Sequence, residues 1–125
     1  MADSVIDRLA DAINKHDIEA LTACFESSYA NDWPVHPSRS FTGADQVRRN
    51  WEAIFRAYPT VKAKIIRRVP SGDESWAEWE FTSETHDGAQ FWQRGVIVVE
   101  ENEDRIVKAS FYMEPVESAQ ESPGS

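Results

Sequence analysis

A short segment between two apolar stretches, Asn31 to Gly43, contains residue types suited to proton transfer. Its sequence, NDWPVHPSRSFTG, places His36 between Pro34 and Pro37, a few residues after Asp32. An imidazole titrates near neutral pH and can move a proton to or from carbon or oxygen. His36 is therefore a candidate catalytic residue, with Asp32 as a second. The alternative is a surface histidine in a polar loop held by two prolines.

A second group of charged residues lies where the sequence alternates as a β-strand does. Glu78 and Glu80 fall on one face of this segment, and Arg94 lies on the next segment along the chain. In a low-dielectric cavity the guanidinium would keep both carboxylates ionised and orient one as a base or hydrogen-bond acceptor. The alternative is an ion pair on the solvent side of a sheet or across a dimer interface.

Aromatic and large apolar residues are frequent enough to form the wall of a pocket as well as a core. Most of those at helical or alternating spacing are expected to be core residues. Two tyrosines, one at the end of the second predicted helix and one on the last predicted strand, could polarise a carbonyl group if their hydroxyls point inward. The candidate substrate-binding residues are Tyr29, Trp33, Trp51, Phe55, Phe111, Tyr112 and Met113.

The motifs of common metal and cofactor sites do not occur in the sequence. There are three histidines and one cysteine, with no HExxH, no CxxC and no glycine-rich loop for a phosphate or dinucleotide. Cys24 has no histidine or basic residue at helical spacing that would activate it as a nucleophile. We therefore expect no metal and no cofactor, which fits cofactor-independent proton transfer and simple binding equally well.

The composition limits the class of partner. A chain of 125 residues with 41% hydrophobic residues suits a single domain, and 13 Lys and Arg against 22 Asp and Glu give a net charge of −9. That charge has the wrong sign for binding a nucleic-acid backbone. We expect no membrane span, since no apolar stretch is long enough. The amphipathic N-terminus and the single cysteine predict a cytoplasmic protein.

Apolar periodicity predicts three helices in the first half of the chain. The first occupies about the first fifteen residues, and the second is capped by Asp17 and ends near Ser27 and Ser28. Thr42 and Asp45 resemble a capping box for the third helix, which ends at Pro59.

Four strands in meander order are predicted after the helices. The alternating or β-branched segments are VKAKIIRRV, SWAEWEFTSET, QFWQRGVIVVE and RIVKASFYME, and the turns between them are SGDE, HDGA and NED. Residues 117–125 have almost nothing to bury and are expected to form a disordered tail. Helices followed by antiparallel strands indicate an α+β domain with the helices on one face of a curved sheet, which leaves a cavity for a ligand.

Five strings join this order of elements to a known family. AINKHDIEALTACF, FTGADQVRRNWEAIF, EWEFTSETHDG, RGVIVVE and SFYMEP, in this order and spacing, resemble the SnoaL-like branch of the nuclear transport factor two superfamily. The resemblance implies a SnoaL-like domain over residues 1–116 with a cone-shaped α+β fold, in which three N-terminal helices pack on a curved antiparallel sheet. Members include polyketide cyclases, ketosteroid isomerases, epoxide hydrolases, dehydratases and non-catalytic binding modules.

The residues that the ketosteroid isomerases use are not found at the matching positions. Their carboxylate base, which precedes a proline, falls at Trp33 without a gap or at His36 with a three-residue insertion. Their helix-one tyrosine falls at Leu9, and their protonated aspartate falls near Gly95 or Val96. Steroid isomerisation is therefore not expected.

The resemblance also gives the leading functional hypothesis. Counted against the isomerase pattern, the face with Glu78 and Glu80 looks into the cavity and meets Arg94. We expect a cofactor-independent enzyme that binds a small apolar carbonyl or oxygenated metabolite and catalyses proton transfer, as a cyclase, isomerase or dehydratase does. The alternative is a non-catalytic binding or dimerisation module. Members of the superfamily commonly pair through the outer sheet face, so a homodimer is expected.

Overall fold

The computed structural model describes residues 4–84 and 91–117. Its helices are α1 (Val5–Lys15), α2 (Ile18–Ala23) and α3 (Ala44–Ala57), with a short 3-10 helix at Pro37–Arg39. The strands are β1 (Phe25–Asp32), β2 (Phe41–Thr42), β3 (Lys62–Ser71), β4 (Glu74–Ser83), β5 (Phe91–Asn102) and β6 (Arg105–Pro115). All six strands form one curved, unclosed sheet in the order β2-β1-β6-β5-β4-β3. The predicted α+β fold with helices packed on a curved sheet is confirmed.

Helix α1 begins with a complete capping box and ends in a left-handed cap. Ser4 accepts a hydrogen bond from the backbone of Asp7, whose side chain accepts one from the backbone of Ser4. His16 ends the helix at a positive φ, its Nε2 lies 3.0 Å from the carbonyl oxygen of Val61, and its ring stacks on Phe55 at 4.4 Å. His16 thus fixes the helix end against the rest of the fold.

The second predicted helix extends too far. Helix α2 stops at Ala23, and strand β1 begins at Phe25, where the prediction continued the helix to about Ser27 and Ser28. The strand forms because β1 pairs in parallel with β6, through partners such as Asn31 and Ala109. One strand pair of the sheet is consequently parallel, whereas the prediction was a wholly antiparallel sheet.

The predicted capping box of the third helix does not form. Gly43 is the N-cap residue and no side chain caps the helix. Thr42 is instead part of β2, where it pairs with Ala30, and the Gly43 amide donates to the carbonyl oxygen of Tyr29 at 2.7 Å. Thr42 therefore pairs in the sheet instead of capping the helix.

The four C-terminal strands follow the predicted meander. On the face of β4 that packs against the helices, Ala77, Trp79 and Phe81 are buried and belong to the core. Gly95 on β5 permits a close approach of β6, because a Cβ atom at this position would lie 2.0 Å from the backbone oxygen of Tyr112. We call the opposite face, which carries Trp76, Glu78 and Glu80 on β4, the outer face.

Two predictions lie outside the described residues. These are the HDGA turn with His86, and the disordered tail apart from Glu117. In the part of the chain that the structure describes, none of the helices combines the length and apolar character needed to cross a membrane.

Candidate functional site

A cavity of about 310 Å³ lies between helix α3, the loop after β1 and the helix-facing side of the sheet. This volume is at the lower end of the range of about 300–1,000 Å³ that is typical of small-molecule sites. Its described lining residues come from β1, β2, α3, β4, β5, β6 and the loop: Phe25, Tyr29, Asn31, Trp33, Arg39, Phe41, Val47, Asn50, Trp51, Ile54, Phe81, Phe91, Gln93, Phe111, Met113 and Pro115.

Stacked aromatic rings form much of the wall. Trp33 lies face to face with Phe111, with ring centroids 5.0 Å apart, and Trp51 meets Phe81 edge to face at 5.6 Å. These arrangements are favourable for aromatic pairs and hold the rings in fixed positions. The aromatic rings therefore give this part of the wall a fixed apolar shape.

The residues predicted to bind substrate divide into two sets. Two of them lie away from the cavity lining: Phe55 stacks on His16 instead, and Tyr112 is on the outer face with 44% of its surface exposed. The others line the cavity: Tyr29, Trp33, Trp51, Phe111 and Met113.

Tyr29 and Asn31 form a polar pair on this largely apolar wall. The residues are adjacent on the same face of β1, because side chains two positions apart on a strand point the same way. The Tyr29 hydroxyl donates to Asn31 Oδ1 at 2.6 Å, and the residues are 0% and 6% exposed. Burial raises the pKa of Tyr29, so the phenol stays protonated at neutral pH.

Arg39 lies where the cavity meets solvent. It is exposed, it lines the cavity, and its guanidinium lies over the Trp33 ring at 4.9 Å from the centroid. The loop that carries both residues is closed by a hydrogen bond from the Trp33 amide to Ser40 Oγ at 2.9 Å. Among the described lining residues Arg39 has the only charged side chain, and none has a carboxylate or an imidazole.

His36 lies in the same loop but outside the cavity lining. Its Nε2 is 2.6 Å from Glu114 Oε2, and its ring centroid is 6.4 Å from that of Trp33. Glu114 occupies the same row of the outer face as Arg94. Asp32 is also outside the lining. The prediction placed His36 at the mouth of the cavity, and the contact with Glu114 directs the imidazole to the outer face instead.

The predicted cluster of Glu78, Glu80 and Arg94 also lies on the outer face, not in the cavity. Arg94 Nε donates to Glu78 Oε2 at 3.2 Å, and Arg67 Nε donates to Glu78 Oε1 at 3.0 Å. Partial burial opposes ionisation of Glu78, but the hydrogen bonds from Arg94 and Arg67 outweigh it and lower its pKa. The expected face was wrong because the core needs the apolar side of β4, with Trp79, against the helices.

Asn31 and Phe41 line the cavity, although no sequence pattern marked them as site residues. Both lie on or beside β1, which was read as the end of a helix and a loop. A reading of Tyr29 and Asn31 as alternate residues on one strand face would have brought them together.

The described residues also contain no group of three or more His, Cys, Asp or Glu side chains that could hold a metal ion. Burial raises the pKa of the Cys24 thiol, which opposes a nucleophilic role.

A curved sheet covered by helices, with one apolar pocket between them, defines a class of small α+β proteins. Within it, the chain belongs to the family of SnoaL-like domains, whose model matches residues 6–109. This finding confirms the resemblance drawn from the sequence strings. No curated protein matches the sequence significantly.

Solved structures of the same fold are similar over most of the chain. Wild-type IdmH of Streptomyces antibioticus, a candidate polyketide cyclase, is 16% identical with a TM-score of 0.75, over 88% of this chain and 89% of that chain. An NTF2-like protein of unknown function from Exiguobacterium sp. 255-15 is 22% identical with a TM-score of 0.74, over 90% of this chain and 100% of that chain.

A third similar structure carries a small ligand. It is a protein with a ketosteroid isomerase-like fold from Catenulispora acidiphila, solved in complex with trimethylamine. It is 14% identical with a TM-score of 0.74, over 90% of this chain and 87% of that chain. Together these likenesses establish the fold as that of the NTF2-like and ketosteroid isomerase-like proteins.

Proposed function

We propose that this protein binds a small, largely apolar metabolite that carries a carbonyl or hydroxyl oxygen. The apolar body occupies the cavity and the oxygen lies on the Tyr29–Asn31 pair. The observation that carries the proposal is this pair of buried, hydrogen-bonded polar side chains on an otherwise mostly apolar wall. A few polar groups placed in an apolar pocket are the usual arrangement for orienting a small molecule.

The hydrogen bond within the pair determines which ligand atoms it would recognise. Because the Tyr29 hydroxyl donates to Asn31 Oδ1, the amide N–H groups of Asn31 remain donors that no described residue accepts. The hydroxyl oxygen of Tyr29 keeps acceptor capacity. A ligand carbonyl can therefore accept from Asn31, and a ligand hydroxyl can also donate to Tyr29.

A cyclase-type or isomerase-type reaction is the second candidate function, favoured by family membership and by the donors at this pair. Donation to a carbonyl oxygen stabilises the negative charge that develops there when a neighbouring C–H loses its proton. Since the described lining residues offer no carboxylate or imidazole, the proton would pass to water or to a basic group of the substrate. The same observation favours binding without catalysis as the first candidate.

Binding of the naphthyl ketone prodan tests the proposal, because its emission reports both burial and hydrogen bonding to the carbonyl. Tyr29→Phe removes the bond that orients the Asn31 amide. We expect this variant to bind prodan about five- to tenfold more weakly, with emission shifted to the blue. Circular dichroism checks that it remains folded.

Tyr112→Phe is the matched control, since it also removes a tyrosine hydroxyl, but from the outer face and not from the cavity. It should leave prodan affinity and emission unchanged. Trp33→Ala, which removes a wall residue, should also weaken binding. Absence of prodan binding to the wild-type protein, or equal effects of the two tyrosine variants, would contradict the proposal.

A further inference from the structure

The arginines of this chain differ in how they are paired. Ion pairs between described residues involve five of them, whereas no described carboxylate lies within ion-pair distance of Arg39. The paired residues are Arg48, Arg67, Arg68, Arg94 and Arg105. Arg39 therefore presents, at the open end of the cavity, a positive charge that no described carboxylate neutralises.

The contact with Trp33 fixes this charge without using its hydrogen-bond donors. The Arg39 guanidinium carbon lies over the Trp33 ring, 4.9 Å from its centroid, and the guanidinium N–H groups donate to no described residue. The ring below is itself held by stacking on Phe111 and by the hydrogen bond from the Trp33 amide to Ser40. The N–H donors of Arg39 are thus held at the cavity and remain for an anionic group of a ligand.

The charge of the cavity lining also favours an anionic ligand. Its described lining includes no carboxylate that would repel an anion, although the chain as a whole carries a net charge of −9. A ligand anion would therefore find at this site a locally favourable potential on an otherwise unfavourable protein.

We infer that the ligand of this cavity is an amphipathic organic acid. Its apolar body packs against the aromatic wall and its carboxylate accepts hydrogen bonds from the Arg39 guanidinium. The inference rests on the proposed function, since it specifies the chemical class of the molecule that the cavity binds. Arg39 then acts as a specificity-determining residue.

Naphthaleneacetic acid and naphthaleneacetamide test the inference, because they have the same apolar body and nearly the same size but differ in charge. Their dissociation constants are measured at neutral pH by quenching of tryptophan fluorescence and by displacement of prodan. We expect the wild-type protein to bind the acid about fivefold or more tightly than the amide, and added salt to weaken only the acid.

Arg39→Gln should abolish this preference while the affinity for the neutral prodan stays close to the wild-type value. Arg49→Gln is the matched control, since Arg49 lies on α3 outside the cavity lining and donates to Gln46. It should keep the preference for the acid.

The outcomes separate this inference from the proposed function. If prodan binds but the acid is no tighter than the amide, fails to displace prodan, or keeps its advantage in Arg39→Gln, the inference is overturned and the cavity remains a neutral-ligand site. If prodan does not bind to the wild-type protein, the proposed function fails and the inference fails with it.

Discussion

His36 and Glu114 connect the loop after β1 to strand β6 on the outer face. Their side-chain atoms are 2.6 Å apart, and the side chains retain 33% and 57% of their exposure. Since ion pairs at this degree of exposure contribute little free energy, the contact can orient the loop without dominating its stability. Trp33 and Arg39, which belong to the same loop, face the cavity instead.

This placement gives a prediction for His36→Ala. The variant should lose only about 0.2–1 kcal/mol of unfolding free energy, because a half-exposed contact between two such side chains contributes little. Its prodan affinity should stay within about fivefold of wild type, because His36 lies outside the cavity lining. Urea denaturation and prodan titration measure the two effects. Glu114→Gln, which removes the charge of the partner, should behave alike. If His36→Ala alone stays folded but loses more than tenfold in prodan affinity, His36 belongs to the binding site after all.

The sequence indicated the residue types at the site more reliably than the direction in which their side chains point. Trp33, Trp51 and Phe111 were expected at a pocket and do line the cavity. Glu78 and Arg94 were expected there and lie on the outer face. Side chains on a strand alternate between two faces. An alignment with a distant family that is wrong by one position therefore assigns every side chain of that strand to the wrong face. The apolar content of the Ala77–Phe81 face was the better signal.

At the scale of elements, strand β1 was the feature that local patterns could not reveal. Its sequence, FESSYAND, has low β-propensity, and its two serines are exposed. The strand is formed by pairing with β6, which lies about eighty residues further along the chain, and with β2. A reading of local periodicity cannot include that partner. The meander from β3 to β6 was predictable because its pairings are between consecutive strands with clear alternation.

Helix α1 is attached to the edge of the sheet by one ion pair that also involves its cap. Arg68 on β3 donates to Asp7 Oδ1 at 2.6 Å and to Ser4 Oγ at 3.2 Å. The hydrogen bond from Arg68 is the main cause that lowers the pKa of Asp7, with help from Ser4. The carboxylate thus serves the capping box and the helix-to-sheet contact at once.

The lowered pKa of Asp7 predicts how stability depends on pH. A carboxyl whose pKa is lower in the folded state stabilises the fold above its unfolded value of about 3.9, and this contribution is lost as the pH falls through the folded pKa. Asp7→Asn should therefore be less stable than wild type at pH 7 by about 1 kcal/mol or less, given the partial exposure of the pair. The difference should shrink below about pH 4.

Asp11→Asn provides the control for this measurement. Asp11 is on the same helix and pairs with Lys15, but both side chains are mostly exposed. Thermal unfolding between acidic and neutral pH should show a smaller effect for Asp11→Asn than for Asp7→Asn. A difference between Asp7→Asn and wild type that grows toward acidic pH would contradict the assignment.

At the scale of the whole molecule, the two sides of the sheet have different surfaces. The side chains of the helix-facing side belong to the core or line the cavity. The outer face carries a row of Val69, Trp76 and Val98, followed by a row with Val96 and Tyr112. Val69, Trp76 and Tyr112 are 63%, 50% and 44% exposed. Large apolar residues that cluster on an exposed face indicate an interaction surface.

The charges on the outer face are compatible with a second copy of the same chain. At the centre of this face Arg67 and Arg94 pair with Glu78, and Glu80 lies beside Arg94, so two positive and two negative charges balance there despite the net negative charge of the chain. A two-fold interface places the same patch on both subunits, and a patch with strong net charge would repel itself. We therefore propose the outer face as the interface of a homodimer.

The dimer is tested by the mass in solution of the wild-type protein and of two variants matched for exposure. Light scattering at micromolar concentration should give twice the 14.2 kDa mass of the chain. Val69→Glu and Val35→Glu introduce the same charge at residues that are both 63% exposed, but Val69 is on the outer face and Val35 is in the loop after β1. Val69→Glu should shift the protein toward the monomer, because two like charges would be buried across the interface, whereas Val35→Glu should leave the dimer intact. A wild-type mass of 14.2 kDa, or dissociation by Val35→Glu and not by Val69→Glu, would show that the outer face is not the interface.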